Sequence, residues 1–499
     1  MNNLLQLLTK CTHGGDAVAA PNRDPQPYAH LSERILRMGG ELRSIAIAPD
    51  SRVVMVFPNG PLMASAFASL APWCTTAPLN PAYKSDEFEF YLRDLEASAL
   101  MVETGSESGA IEVAHRLGIR VIEIEEGEEA GSFSLGEPGY EVPVRDDDSI
   151  ALILHTSGTT SRPKMVPLSL GNLAASASNI AATLQLSDAD RCLNVMPLFH
   201  VHGLMAPVLA SLITGASVYC TPGFDALRFF AWLDDARPSW YSAVPTMHQG
   251  ILSRAPRNRE AIERSSLRFV RSSSAALPPQ VMEALEATFS APVVEAYAMT
   301  EAAHQMCSNP LPPKTRKPGC VGPAAGPEVA IMNEDGVVLA IDDVGEIVIR
   351  GKNVTSGYIN NPEANAGAFH EGGWFRTGDQ GLLDADGYVR VTGRLKEIIN
   401  RGGEKIAPLE VDEVILDHDA VAQVCTFAIP HEKLGEDVGA AVVLKEDSEV
   451  TEKELRMFAG QKLADFKVPR RVLFVAEIPK GPTGKIQRIG LAKALGLVT

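Results

Sequence analysis

Thr156, Ser157, Thr159, Thr160 and Ser161 place five hydroxyls around Gly158, and Arg162 and Lys164 follow, all directly behind the apolar run 150–154. A buried strand that empties into such a loop is suited to holding a polyphosphate. Backbone N–H groups and hydroxyls hydrogen-bond the oxygens, and Lys164 neutralises their charge. Gly158 and Lys164 have the spacing of a G-x-x-x-x-G-K phosphate loop. Pro163, however, stands where the second glycine would be, and Met165 where a magnesium-binding hydroxyl would be, so the loop is of another kind.

The elements that must position this loop are legible in the hydrophobic pattern. Residues 52–57 predict a strand stopped by Pro58-Asn59-Gly60, and residues 62–70 a helix behind it. Segments 213–220 and 267–272 repeat the strand signal, with helical patterns at 225–235 and 278–289. Such alternation predicts an α/β fold with largely parallel strands. Between 319 and 395 short strands (329–332, 345–350 and 387–391) are separated by Gly, Asp and Asn turns, which predicts a small antiparallel barrel-like subdomain. The expected organisation is an N-terminal domain over 1–395, made of two layered α/β subdomains and this barrel, followed by a smaller, mobile α+β domain over 396–499.

The composition narrows the function classes. At 499 residues, 45% hydrophobic and 21% charged, the chain has ample core for two or more domains. A net charge of −17 without a long basic run argues against nucleic acid and anionic membranes as partners, so an anionic ligand must be met by local cations. The seven cysteines (11, 74, 192, 220, 307, 320 and 425) are odd in number and without C-x-x-C pairs, as expected of reduced thiols. The N-terminal residues lack a basic stretch and a long apolar run, and the chain does not end in Ser-Lys-Leu. A cytoplasmic monomer or homodimer is the expectation.

Residues 154–164 resemble the phosphate loop of the adenylate-forming superfamily, which includes acyl-CoA synthetases, luciferases and peptide-synthetase adenylation domains. Further stretches are similar to that family's motifs, in the same order. Residues 295–301 (EAYAMTE) resemble its Y-G-x-T-E element, with Ala298 in place of the usual glycine, and 376–379 (RTGD) its T-G-D element. Residues 394–406 (RLKEIINRGGEKI) resemble its hinge and thioester-forming loop, and 479–488 (PKGPTGKIQR) its P-x-T-x-x-G-K signature. Ser161 and Met165 depart from the family's usual glycines.

The resemblance implies ATP, Mg²⁺ and coenzyme A as co-substrates and assigns residues to them. Thr156, Ser157, Gly158, Thr159, Thr160 and Lys164 would hold the phosphates. Ser274, Ala275, Ala276, Glu295, Ala296 and Tyr297 would line the adenine and acyl pocket, with the tyrosine ring against the base. Thr300 would contact the α-phosphate and Glu301 would ligate Mg²⁺. Asp379 would accept hydrogen bonds from the ribose hydroxyls, with Arg394 beside it. Lys485 would be the catalytic lysine of adenylation and Lys396 the hinge. Gly402 and Gly403 would let the pantetheine arm pass close to the backbone.

The stretch 197–204 (PLFHVHGL) lies at the family's substrate-pocket helix and carries no aspartate of the kind that holds an α-ammonium in amino-acid-activating members. The resemblance makes His200 the residue that gates the substrate carboxylate. Four of the eleven histidines (His200, His202, His248 and His304) fall in pocket-lining motifs, and with Ser273 they suit an anionic substrate end better than a fatty acyl tail. The combined pattern is most similar to oxalate–CoA ligases. Malonate or another short acid, a stand-alone enzyme that loads a carrier protein, and an oxygenase of the luciferase type are the alternatives.

Overall fold

The computed structural model describes residues 3–12, 14–138, 142–156, 163–480 and 486–497. They form two compact units. One comprises Met1–Leu277, Val281–Glu328 and Ile349–Phe369; the other comprises Pro278–Gln280, Val329–Val348 and His370–Thr499.

The first unit is built on two sheets with helices packed against them. In the eight-stranded sheet the order is His304–Ser308, Val293–Met299, Phe269–Ser273, Trp240–Ala243, Arg191–Asn194, Ser217–Cys220, Asp16–Ala19 and Gln26–Pro27. The inner strands, from Val293–Met299 to Asp16–Ala19, all run parallel, and the two edge strands are antiparallel. The six-stranded sheet has the order Arg120–Ile124, Ala99–Glu103, Arg52–Val56, Thr75–Pro78, Ile150–Thr156 and Lys164–Ser169. Only its last pair is antiparallel, with Thr156 opposite Lys164.

The central strands are buried on both faces, which is why they read as near-continuous apolar runs, whereas the edge strand Arg120–Ile124 is partly exposed. Trp240, Tyr241, Phe229, Phe230 and Phe269 fill the space between the larger sheet and its helices. Helix Ser85–Asp94 turns one stripe inward, burying Phe88 and Leu92, four residues apart, whereas Pro61–Leu70 is buried all round. Among the described residues no helix is long and apolar enough to cross a membrane.

The α/β expectation therefore holds, with one local correction. The strand expected over 213–220 begins only at Ser217, because Ile213 still caps a helix and Gly215, at φ 85°, makes the turn between them.

The second unit carries a five-stranded sheet in which Gly435–Leu444 pairs with Ile399–Arg401, Val421–His431 and Arg471–Phe474. Glu404–Ile406 extends it as a hairpin with Ile399–Arg401. The segment expected as a barrel supplies another five-stranded sheet, ordered Glu328–Met332, Gly345–Arg350, Trp374–Leu383 and Phe369–His370, with Val389–Arg394 antiparallel to Trp374–Leu383.

Candidate active site

In open parallel sheets ligands bind beyond the carboxyl ends of the strands, where the connecting loops gather. Four adjacent strands of the larger sheet end this way in the first unit. Arg191–Asn194 leads to His200 and His202, Trp240–Ala243 to His248, Phe269–Ser273 to Ser274, and Val293–Met299 to Thr300 and Glu301. The registers put Asn194 beside Ser242, Ser242 beside Arg271, Ser272 beside Glu295 and Ser273 beside Ala296. Residues scattered over a hundred positions of sequence are thereby placed on one edge.

His200 caps the helix that begins at Val201, and its ring accepts from the His202 N–H at 3.4 Å. That helix continues through a π-turn, Leu204–Leu209, which contains Pro207. A proline inside a helix removes a backbone hydrogen bond, and the widened turn absorbs the loss. Gly203 is required by packing, since a Cβ there would lie 2.4 Å from the Pro197 carbonyl oxygen.

His202 and His304 are both fully buried, and their rings stack with centroids 4.7 Å apart and planes 24° apart. His304 reaches this position through a sharp reversal in which Ala303 and His304 both adopt positive φ, 46° and 97°. Two successive non-glycine residues in that region are strained, and surrounding contacts must hold them. Here Ser176 donates to the Ala303 carbonyl, and Thr355 N–H donates to the Glu301 carbonyl at 2.7 Å.

His248 lies apart from this pair as a ring contact of Tyr241, centroids 5.6 Å apart, with the Tyr241 hydroxyl 3.3 Å from Nδ1. Burial pulls its pKa down to about 3, so the ring is neutral at physiological pH. A histidine that binds its proton less readily when folded stabilises the protein fully above its unfolded pKa near 6.5, and that stability drains away as pH falls toward 3. Between pH 6.5 and 5, where few carboxylates titrate, His248 should contribute a slope approaching about 1.4 kcal/mol per pH unit. Unfolding titrations at several pH values check this: His248→Gln should flatten the slope over that window, and an unchanged slope would contradict it.

The nucleotide side of the first unit centres on Glu301. Its side chain is buried and Oε1 accepts from the Tyr358 hydroxyl at 2.9 Å. Lys164 Nζ lies 4.4 Å from the centre of the same tyrosine ring. Tyr358 thus holds the expected phosphate-binding cation and the expected metal-binding carboxylate on one scaffold. Burial, and then the charge of Glu301, push its hydroxyl pKa up, so it remains a donor. Glu295 is buried and accepts from the Leu277 N–H at 2.8 Å, which pins the loop of Ser274, Ala275 and Ala276; Ser273 donates to the Ala296 carbonyl at 2.9 Å. Tyr297 and Thr300 are half-buried at the end of the strand. The half-buried Thr156 ends the strand before the phosphate loop; Ser157, Gly158, Thr159 and Thr160 lie outside the described residues.

In the second unit Asp379 follows Gly378, whose φ of 72° makes the turn, and pairs with Arg394 directly across the ladder, Nε to Oδ1 at 3.1 Å. Asp379 is buried while half of the Arg394 side chain is exposed, so a carboxylate is presented beside a solvent-facing guanidinium. Lys396 is exposed in the short turn Leu395–Glu397. Gly402 and Gly403 form the two-residue hairpin turn between Ile399–Arg401 and Glu404–Ile406, with φ of 60° and 102°. Lys485 lies outside the described residues; Lys480 and Ile486 pair as an antiparallel bridge.

Tyr358, Arg271, Ser242 and Gln305 join the site although their sequence motifs do not mark them. Arg271 carried a signal: an arginine inside the apolar pattern of a central strand is either paired or functional. Tyr358 carried none, because its role depends on a fold that brings it to Glu301 from 57 residues away.

Among the described residues no cluster of three or more His, Cys, Asp or Glu could enclose a metal. The donor set fits Mg²⁺ held by one carboxylate, Glu301, together with phosphate oxygens.

Comparison with known proteins agrees with this arrangement. The chain is 44% identical over 501 residues to an oxalate–CoA ligase of Arabidopsis thaliana, covering 98% of this chain and 97% of the relative. It is 42% identical over 450 residues to an oxalate–CoA ligase of Saccharomyces cerevisiae, covering 84% and 81%. The crystal structure of ATP-bound MatB from Rhodopseudomonas palustris superposes with a TM-score of 0.90 at 28% identity, covering 99% of each chain. The family described as AMP-binding enzyme matches residues 10–359, and its C-terminal domain matches 410–485. The order of motifs, the loops gathered at the strand ends and these matches agree: the chain belongs to the AMP-binding enzymes.

Proposed function

We propose that this enzyme is an ATP-dependent acid–thiol ligase whose carboxylic acid is oxalate, giving oxalyl-CoA, AMP and pyrophosphate. What supports oxalate above all is the pair of stacked, fully buried imidazoles of His202 and His304 at the strand ends, in a chain 44% identical to an oxalate–CoA ligase along nearly its whole length. A two-carbon dianion needs hydrogen-bond partners where a fatty acid needs only methylene contacts. Malonate is the second choice, in view of the polar histidines gathered at the strand ends.

In the proposed reaction a carboxylate oxygen attacks the α-phosphorus of ATP and the bond to pyrophosphate breaks. The CoA sulfur then attacks the acyl carbon and the bond to AMP breaks. Lys164 and the hydroxyl loop hold the phosphates, Thr300 contacts the α-phosphate, and Asp379 with Arg394 binds the ribose. His200 contacts the reacting carboxylate, and Ser273 with the stacked His202 and His304 lines the region of the remote one, while His248 lies apart against Tyr241. Bound Mg²⁺ would supply charge neutralisation at the phosphates, held by Glu301. Lys485 stabilises charge at phosphorus in the first step. Lys396 is the hinge that lets the Gly402-Gly403 loop serve the second step.

His304→Ala tests the substrate assignment. Losing a hydrogen bond to a charged group costs about 1.5–3 kcal/mol, so kcat/KM for oxalate should fall roughly ten- to a hundredfold. Acetate, with no remote charge to hold, should be spared. A ratio of the two specificity constants unchanged from wild type would assign the histidines a purely structural role.

A further inference from the structure

Arg271 has no exposed surface and sits in the middle of the parallel sheet. Among the described residues no carboxylate pairs with it. Its hydrogen-bond partners are the Ser242 hydroxyl at 3.3 Å, His202 Nε2 at 3.4 Å and Gln305 Oε1 at 3.3 Å, all uncharged oxygen or ring-nitrogen acceptors, and its Nε has none. A buried guanidinium without a counter-ion is expensive and is retained where its charge is used. Burial lowers its pKa to about 9, which leaves it charged at neutral pH.

The geometry dictates the direction of a hydrogen-bond chain. A guanidinium can only donate, so Arg271 donates to Ser242 Oγ and toward His202 Nε2. With its oxygen already accepting, Ser242 donates its own proton to Nε2, 2.6 Å away. Nε2 of His202 is therefore the acceptor, and in the neutral ring Nδ1 carries the hydrogen. Nδ1 lies 3.0 Å from Ser274 Oγ, so it donates there. The Ser274 proton is then directed away from His202. Ser274 is half-buried beside the exposed Ala275 and Ala276, and its φ of 74° is a strained conformation for a serine. The chain thus runs from a buried positive charge to a hydroxyl donor at the mouth of the strand-end site.

We propose that Arg271 is a positioning residue which, through Ser242 and His202, orients the Ser274 hydroxyl as a donor to the remote carboxylate of a dianionic acid and so sets the preference for dicarboxylates over monocarboxylates. This rests on the ligase function proposed above. The positive end of the chain favours a second negative charge in the pocket, and the ordered serine gives that charge a fixed contact.

The test combines kinetics with a direct view of the imidazole. Arg271→Met removes charge and donors at similar length, and Ser274→Ala removes the terminal hydroxyl. Each should lower kcat/KM for the preferred acid among oxalate, malonate and succinate about ten- to a hundredfold, and for acetate by less than about threefold. Because the groups act as one chain, the double variant should be no worse than the poorer single one. Arg271→Lys, which keeps the charge, should recover part of the preference.

Independently of any substrate, ¹⁵N NMR of histidine-labelled full-length protein, with the signal assigned by its loss in His202→Asn, should find the Nδ1–H form of His202. Should Arg271→Met fail to fold, Ser274→Ala and the wild-type spectrum decide. An Nε2–H tautomer in wild type, equal losses for dicarboxylates and acetate, or additive effects in the double variant would each overturn the proposal. If oxalate proves inactive while another diacid shows the selective loss, the relay stands and the oxalate assignment falls.

Discussion

In Lys485→Ala, formation of the acyl-adenylate is expected to fall about a hundredfold or more, while thioester formation from pre-made acyl-AMP stays near the wild-type rate. The proposed role confines Lys485 to the first half-reaction, and losing one preorganised cationic contact to a charge-developing transition state is worth roughly 3–4 kcal/mol. Acid-dependent exchange of pyrophosphate into ATP reports the first step, and CoA-dependent consumption of synthetic acyl-AMP reports the second. Equal damage to both would remove Lys485 from the role. Lys480 and Ile486 pair as an antiparallel bridge, and Lys485, next to Ile486 in sequence, lies outside the described residues.

Glu301→Gln is the second substitution with a large expected effect. Glutamine keeps an oxygen that can accept from Tyr358, so the packing around residue 301 should survive, but the negative charge is lost. If Glu301 ligates Mg²⁺, adenylate formation should drop by about a hundredfold, roughly 3 kcal/mol. The Mg²⁺ concentration for half-maximal rate should rise as well, because the metal favours charged oxygen ligands. Initial rates over a Mg²⁺ titration at saturating ATP give both quantities. A variant with a normal rate and a normal Mg²⁺ dependence would show that Glu301 is only the anchor for Tyr358.

How far these features could be read without coordinates depended on whether their signal was local. The strand at Arg52–Val56, the helix behind it and the hydroxyl-rich loop behind 150–154 each announce themselves in a few neighbouring residues, through apolar runs, proline and glycine stops. The strand expected at 213–220 began late, because four apolar or small residues at a helix end look like the start of a strand when Gly215 is not recognised as the turn. The histidines were singled out together, yet their environments differ: His202 and His304 stack, whereas His248 is held neutral against Tyr241. Nothing within a few residues of His248 distinguishes these cases, since Tyr241 and the rest of its surroundings are set by strand order. Arg271 and Tyr358 take their meaning from contacts 29 to 69 residues away in the chain, which no local pattern encodes.

Oxalate activation is tested most directly by incubating the purified enzyme with ATP, Mg²⁺, CoA and one acid at a time from oxalate, malonate, succinate, glyoxylate and acetate. AMP, pyrophosphate and the acyl-CoA are then quantified by mass spectrometry. Oxalate should give the highest kcat/KM, with oxalyl-CoA, AMP and pyrophosphate formed in equal amounts and no thioester when CoA is omitted. Absence of oxalyl-CoA, or a clear preference for a monocarboxylate, would contradict the oxalate assignment.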